Sequence, residues 1–273
     1  MITAFNIDLG IRELRQVSTF IKEKHGLDYS EFSLTAFKRR VESFMVANKY
    51  SADVLLKNLE SKDFLDHFAA KIAVSETEMF RDPTYWILLK NNYINNIIKE
   101  RGRIRIWLPL CASGEEYYSL IILLKESGFT EKSEITITSI SNESLETIKR
   151  GFMEFDKYEI SSKNYSRFQG TSQFTNYCKT SGNTATFEKS FFTNTKFIKD
   201  DIVSKQDFGH FDLVLFRNKM IYFTTPLQNK VVEMLHSRMA VKGILTLGIL
   251  EEIEVTNKFA AIDKKESIYQ RKS

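Results

Sequence analysis

Two adjacent carboxylates, Glu115 and Glu116, follow a run of small residues, Cys111-Ala112-Ser113-Gly114, and here the chain first offers chemistry. Upstream, Arg103 to Leu110 is β-rich with apolar residues on alternate positions. Downstream, Tyr117, Leu120, Ile121 and Leu124 recur at helical spacing. A strand that turns through small residues into a helix leaves backbone N–H groups bare at the strand's carboxyl end, where open α/β sheets hold ligands. Two acids at that position would repel a phosphate and suit a cationic or hydroxyl-bearing ligand. An ordinary strand-to-helix turn, whose acids serve only the helix dipole, is the other reading, and this stretch alone favours it.

The elements that must position such a turn follow from the pattern around it. Residues 10 to about 72 read as helical: Leu14, Val17, Phe20 and Ile21 share one face, Phe37, Val41, Phe44 and Met45 a second, and the spacing continues through Phe68. Gly26 is expected to end the first helix and Ser33 to cap the next. Lys38, Arg39 and Arg40 form a basic triplet, read as a solvated face or as a docking surface for an acidic partner. Pro83 suits the first turn of a helix, and the segment behind it is amphipathic to Gly102.

From there strands alternate with helices: strand 103–110, helix 116–127, strand 134–140, helix 142–150, strand 211–216, helix 225–240 and strand 243–249. This order predicts an α/β fold with a doubly wound parallel sheet. The section 151–198 is too long for a connection and reads as a small inserted β element containing Thr184–Phe187 and Thr195–Ile198. In the tail, Ile268-Tyr269 is expected to form the last antiparallel strand. The division is therefore 1–72, all-helical, and 73–273, carrying the sheet and the insert.

Bulk properties narrow the class. With 42% hydrophobic residues over 273, the chain can bury a real core. Its net charge of +4, from 39 basic and 35 acidic residues, lays down no phosphate track. Two cysteines, Cys111 and Cys178, imply no disulfide framework. The four histidines lack metal-ligand spacing, so no metal is expected. The first residues lack a signal pattern and no apolar run approaches spanning length, so a soluble, cytoplasmic protein without membrane insertion is expected.

Four ordered segments then resemble one family. Thr77 to Pro83, T-E-M-F-R-D-P, resembles the T-x-F-F-R-[DE] segment of the CheR-type chemotaxis receptor methyltransferases. Trp107 to Ser119, W-L-P-L-C-A-S-G-E-E-Y-Y-S, is similar to their C-S-T-G-E-E-P-Y-S turn. Phe211 to Phe223, F-D-L-V-L-F-R-N-K-M-I-Y-F, looks very like F-D-x-I-x-C-R-N-V-x-I-Y-F. Gly243 to Glu251 resembles the G-G-x-L-x-x-G-x-S-E terminus.

The resemblance, covering about residues 10 to 255, implies a Rossmann-like class I methyltransferase fold. It also implies methyl transfer from S-adenosylmethionine to glutamate side chains in the cytoplasmic domain of a chemoreceptor, leaving S-adenosylhomocysteine. It places Arg81 at the substrate's or the cofactor's carboxylate, and Tyr222 in the methyl-transfer pocket with Arg217 and Asn218 beside it. Glu116, the Ala112–Gly114 backbone, Ser75 and Thr77 fall near the methionyl end. Ser139 falls at the ribose position, Asp201 and Ile202 at the adenine, and Lys38, Arg39 and Arg40 on the substrate-docking helix.

The departures from the family's pattern bear on affinity. Ser139-Ile140-Ser141 stands where the family has D-I-D. Replacing a charge-assisted pair by one neutral hydrogen bond forfeits about 1.5–3 kcal/mol, roughly ten- to a hundredfold in binding. Leu110 stands where a small residue is usual, Ser75 replaces a polar amide, Asp201-Ile202 replaces Asn-Leu, Ile249-Leu250 replaces His-Ser, and Glu42 weakens the basic helix. Two readings follow: an active protein-glutamate methyltransferase with weakened cofactor affinity, or an inactive domain kept as a binding module. The retained Arg81, Arg217, Asn218 and Tyr222 favour the first.

Overall fold

A computed structural model describes residues 8–73, 78–192, 194–201, 206–253 and 258–272. Four helices come first: α1 (Ile11–His25), α2 (Leu34–Asn48), α3 (Ala52–Asn58) and α4 (Lys62–Ile72). Their apolar stripes, including Leu14, Val17, Ile21, Phe37, Val41, Phe44 and Phe68, meet in a cluster of their own. Gly26 closes α1 with φ 80° and its N–H on Lys22 O, as its lack of a Cβ allows. Ser33 does hold the N-cap position of α2, but its hydroxyl makes no capping bond. Its N–H instead donates to Tyr222 O at 2.7 Å, so the start of α2 is fixed across the molecule rather than locally.

Next come α5 (Pro83–Leu88), a wider π-type turn at Leu89–Ile94, and α6 (Asn95–Arg101), then β1 (Ile104–Leu108), α7 (Glu115–Glu126), β2 (Ser133–Ser139) and α8 (Asn142–Arg150). The insert holds β3 (Phe152–Glu154), α9 (Tyr158–Arg167), β4 (Cys178–Ser181) and β5 (Thr184–Phe187). The chain ends with β6 (Thr195–Lys199), β7 (Phe211–Leu215), α10 (Thr225–Ser237), β8 (Met239–Thr246), β9 (Phe259–Asp263) and β10 (Ile268–Arg271).

The main sheet runs β6-β2-β1-β7-β8-β10-β9. The first five strands are parallel, and β10 lies antiparallel between β8 and β9. One sheet face packs on α7 through Tyr117, Leu120, Ile121 and Leu124, the other on α10 through Leu227, Val231 and Leu235. Buried on both faces, β7 reads Phe-Asp-Leu-Val-Leu with no exposed position. This is the α/β fold with a doubly wound sheet that the alternation of strands and helices predicts. Among the described residues no helix is long and apolar enough to cross a membrane.

Three expectations are corrected. Thr195–Ile198 is not part of the inserted element: it pairs parallel with β2 and forms the sheet's edge, because its register matches Ile135–Ser139. The insert's own sheet is β3-β5-β4, antiparallel. The strand expected at 243–249 begins at Met239, immediately after α10, and ends at Thr246. Finally, β9 and α9 were not read from the sequence at all.

One carboxylate of the helical segment gathers several donors from the sheet side. Asp66 of α4 accepts from Ser141 Oγ (2.9 Å), from the N–H groups of Asn142 (3.0 Å) and Glu143 (2.9 Å), and from Lys199 Nζ at 2.5 Å. It thus serves the N-terminus of α8 from another element. Although partial burial works the other way, Lys199 and these N–H donors hold its pKa below the ordinary Asp value. Their contribution is therefore present above about pH 3.9 and lost as pH falls through the lowered value. Asp66→Asn is expected to cost about 1–2 kcal/mol at pH 7, and the cost should shrink on acidification. Thermal melts at pH 7 and pH 3.5 would show it; equal losses at both would contradict it.

Candidate active site

Loops leaving the carboxyl ends of β1, β2, β6 and β7 meet the helical segment around one cleft. Leu110 and Cys111 come from the β1 loop, Ser139 and Ile140 from the end of β2, Asp201 from the end of β6, and Lys219 and Tyr222 from the β7 loop. Tyr29, Phe37 and Arg40 close it from the helical side. Such a crevice outside the strand ends is the ligand position of doubly wound sheets.

The backbone is held in unusual conformations where these loops turn. Phe80 (φ 51°), Asp82 (φ 56°), Leu110 (φ 51°) and Asn218 (φ 57°) all lie in the left-handed region. Each such residue costs of order 1–3 kcal/mol and persists only when its surroundings over-determine it. The surroundings are visible. Arg217, its side chain 2% exposed, donates to Asp82 Oδ2 at 2.6 Å, to Arg81 O at 3.3 Å and to Leu247 O at 3.3 Å. Its guanidinium stacks 3.8 Å from the Tyr85 ring centroid. Trp86 Nε1 donates to the same Arg81 carbonyl. From the insert, Ser161 Oγ accepts from Met79 N and Asn164 Nδ2 donates to Met79 O.

Asn218 is fixed by the segment that follows β8. Glu251, 3% exposed, accepts from Asn218 N (2.7 Å), Gly248 N (2.7 Å) and Ile221 N (3.3 Å). A Cβ at Gly248 would lie 2.4 Å from Asn218 Oδ1 and 3.0 Å from Asn218 N, so glycine suits this close approach. The Arg-Asn and Gly-x-x-Glu motifs are therefore one structural unit.

Both acids of the β1 turn already have a lysine. Glu115, 2% exposed, pairs with Lys157 at 2.8 Å and takes the Ser113 hydroxyl. Its burial outweighs those partners and raises its pKa above the ordinary Glu value. Glu116 lies 3.5 Å from Lys219, with side-chain exposures of 11% and 10%. Gly114 (φ 94°) lets the turn pass Tyr118, whose ring a Cβ would meet at 2.9 Å. Burial pushes the Cys111 thiol up to about 12, so it is an inert lining residue.

Of the residues singled out in the sequence, Ser139, Asp201, Tyr222 and Arg40 line this cleft. Arg40 stacks 5.0 Å from the Tyr222 ring centroid and donates to Ala73 O. Glu116 reaches the cleft's Lys219. Ala112 lines a neighbouring cleft with Lys71, Lys157 and Phe152. Arg81 is half-buried between its two strained neighbours. Arg217 and Asn218 support the loops, as above. Lys38 is tied to Asp8 and Glu42 at the surface, and Arg39 is exposed. Ser75, Thr77 and Ile202 lie outside the described residues.

Two lining residues carried no sequence signal. Lys219 sits inside a motif and Tyr29 in a connection. The Tyr29 residue is 5% exposed, and its hydroxyl has no hydrogen-bond partner among the described residues. Burial and the nearby charge of Asp201 raise its pKa, so the phenol stays a neutral donor.

Comparison with known proteins agrees with this architecture. The chain is similar to a protein of Pseudomonas putida provisionally named methyltransferase Cher3 (26% identical, over 97% of this chain and 98% of that one). It is also similar to a chemotaxis protein methyltransferase of Listeria monocytogenes (27% identical, over 85% and 87%). A third relative, chemotaxis protein methyltransferase 1 of Pseudomonas aeruginosa, is 27% identical over 67% and 68%. Residues 75–268 match the family described as CheR methyltransferase, SAM binding domain, and so the chain belongs to the CheR methyltransferases, with S-adenosylmethionine as its cofactor.

Proposed function

We propose that the protein methylates glutamate side chains in the cytoplasmic domain of a chemoreceptor, acting in the cytoplasm. The observation that carries this reading is the convergence of Tyr222, Arg40, Ser139 and Asp201 on one cleft between helices and strand ends. When bound, the cofactor would supply an electrophilic methyl group for the glutamate carboxylate oxygen, its sulfur retaining the electron pair of the bond to that methyl. A glutamate of ordinary pKa, about 4.3, is already anionic at neutral pH, so the reaction needs no general base. The work left to the protein is positioning and exclusion of water.

The cleft fits the cofactor on one specific ground: the Tyr29 hydroxyl is buried, lines the cleft beside Asp201 and has no described protein partner. Tyr29 and Asp201 would hold the nucleoside, with Ser139 at the ribose. Arg81 and Glu116 would take the methionyl carboxylate and amino groups, Asn218 and the Ala112–Gly114 backbone lying close by. Tyr222 would bound the methyl-transfer position, its ring oriented by Arg40. Lys38, Arg39 and Arg40 on α2 would present positive charge to an acidic receptor helix.

Tyr29→Phe separates this role from a structural one. Because the hydroxyl has no partner among the described residues, stability is expected to hold or rise by about 1 kcal/mol, while affinity for S-adenosylmethionine falls three- to tenfold. Melting curves and calorimetric titration check it; unchanged affinity would take Tyr29 out of the site.

A second reading, a weak or inactive CheR-like domain serving as a binding module, is favoured by two features of the cleft. Serine replaces a ribose carboxylate at 139, and Lys219 already neutralises Glu116. Transfer of tritiated methyl from S-adenosylmethionine to receptor cytoplasmic fragments decides between them. Base-labile label on the fragment supports methyl transfer, and its absence at saturating cofactor supports the module.

A further inference from the structure

From the geometry of the cleft we infer that Lys219 is a specificity-determining residue, which sets the balance between the positively charged methyl donor and its uncharged thioether product. The inference rests on the cofactor site assigned above and deepens it.

Lys219 follows β7, three residues before Tyr222, where the family pattern quoted above has valine. Its side chain is 10% exposed, and its ammonium lies 5.5 Å from the Phe216 ring centroid and 3.5 Å from Glu116 Oε2. The cleft it lines is otherwise walled largely by apolar side chains, among them Phe37, Leu110, Ile140 and Phe223. In such surroundings charges are poorly screened.

S-adenosylmethionine and S-adenosylhomocysteine share a nucleoside, an amino group and a carboxylate. They differ by one methyl group and the fixed positive charge on sulfur. A lysine ammonium lining the pocket opposes the first molecule's additional positive charge, which the second lacks. Glu116 offsets part of this repulsion, but the two charges act additively, so removing the Lys219 charge alone still shifts the balance toward the donor. A repulsive element of this kind discriminates without a new contact. In this chain, then, Lys219 lowers affinity for the donor and leaves affinity for the product little changed.

The test is calorimetric titration of the full chain with each molecule, wild type against Lys219→Gln. Glutamine can still donate to Glu116 but carries no charge. The ratio Kd(donor)/Kd(product) is expected to fall at least tenfold, about 1.4 kcal/mol, through tighter donor binding. Lys219→Arg keeps the charge and should hold the ratio within threefold of wild type. Lys219→Met provides a second uncharged variant should the glutamine protein fold poorly, with the same fall expected.

An unchanged ratio in the uncharged variants overturns the inference. So does equal weakening of both ligands, which would make Lys219 a grip on their common carboxylate. Failure of both molecules to bind any of the proteins, wild type included, would instead remove the cofactor assignment, and this inference with it.

Discussion

Replacing Glu251 by alanine is expected to destabilise the protein by about 3–5 kcal/mol and to abolish ordered binding in the cleft. The carboxylate is 3% exposed and accepts from the backbone N–H groups of Asn218, Gly248 and Ile221. Stranding three such donors at about 1–3 kcal/mol each would cost at least about 3 kcal/mol, and relaxation of the loop keeps the loss at the lower end of their sum. Asn218 sits at φ 57°, a conformation asparagine tolerates but does not prefer strongly enough to keep unaided. Without Glu251 the loop bearing Lys219 and Tyr222 should relax from that conformation. Glu251→Gln retains one acceptor oxygen but turns an amide donor on a backbone donor, so an intermediate loss is expected. Urea denaturation of the three proteins would measure this. A midpoint for Glu251→Ala equal to wild type would mean that the loop is held by something else.

Arg217→Met is expected to cost about 3 kcal/mol and to lower methyl transfer at least tenfold. The guanidinium is 2% exposed, with separate donors on Asp82, Arg81 and Leu247 and its face on Tyr85. Breaking a fully buried pair costs 3–5 kcal/mol, and the value here is set at the lower end because Asp82 is 21% exposed. Arg81 is flanked by two left-handed residues whose strain this fork helps to contain. Loss of the fork should therefore misplace Arg81 even though Arg217 itself does not line the cleft. Arg217→Lys carries the charge but not the fork, and should recover less than half of the stability. A Tm for Arg217→Met within 2 °C of wild type, together with full activity, would contradict this account.

These two residues illustrate how sequence and tertiary structure divide the information. The strands of the sheet core were legible because each is a short apolar run bounded by turn residues. Helices α1 to α4 were legible because their apolar spacing of three and four survives on one face. The cleft's location followed from strand order, since a chain alternating strand and helix must turn at the strands' carboxyl ends. By contrast, α9 was hidden because two of its buried positions, Ser161 and Asn164, are polar. They are buried to hold the Met79 backbone rather than to fill a core. Strand β6 was assigned to the insert because edge pairing is a choice of partner, and nothing local names the partner.

What the sequence determined by itself was the alternation of elements, the positions of the motif loops and the chemical types of residue available at each. Hydrophobic periodicity and turn chemistry are local, and local rules suffice for those. Only the tertiary structure decided which groups are spent on each other. It joined Arg217 to Asp82, Glu251 to Asn218, Glu116 to Lys219 and Asp66 to the start of α8. Each of these pairs spans at least 33 residues of chain. Whether a buried charge faces a ligand or another side chain depends on distances of a few ångströms that no spacing in the sequence encodes.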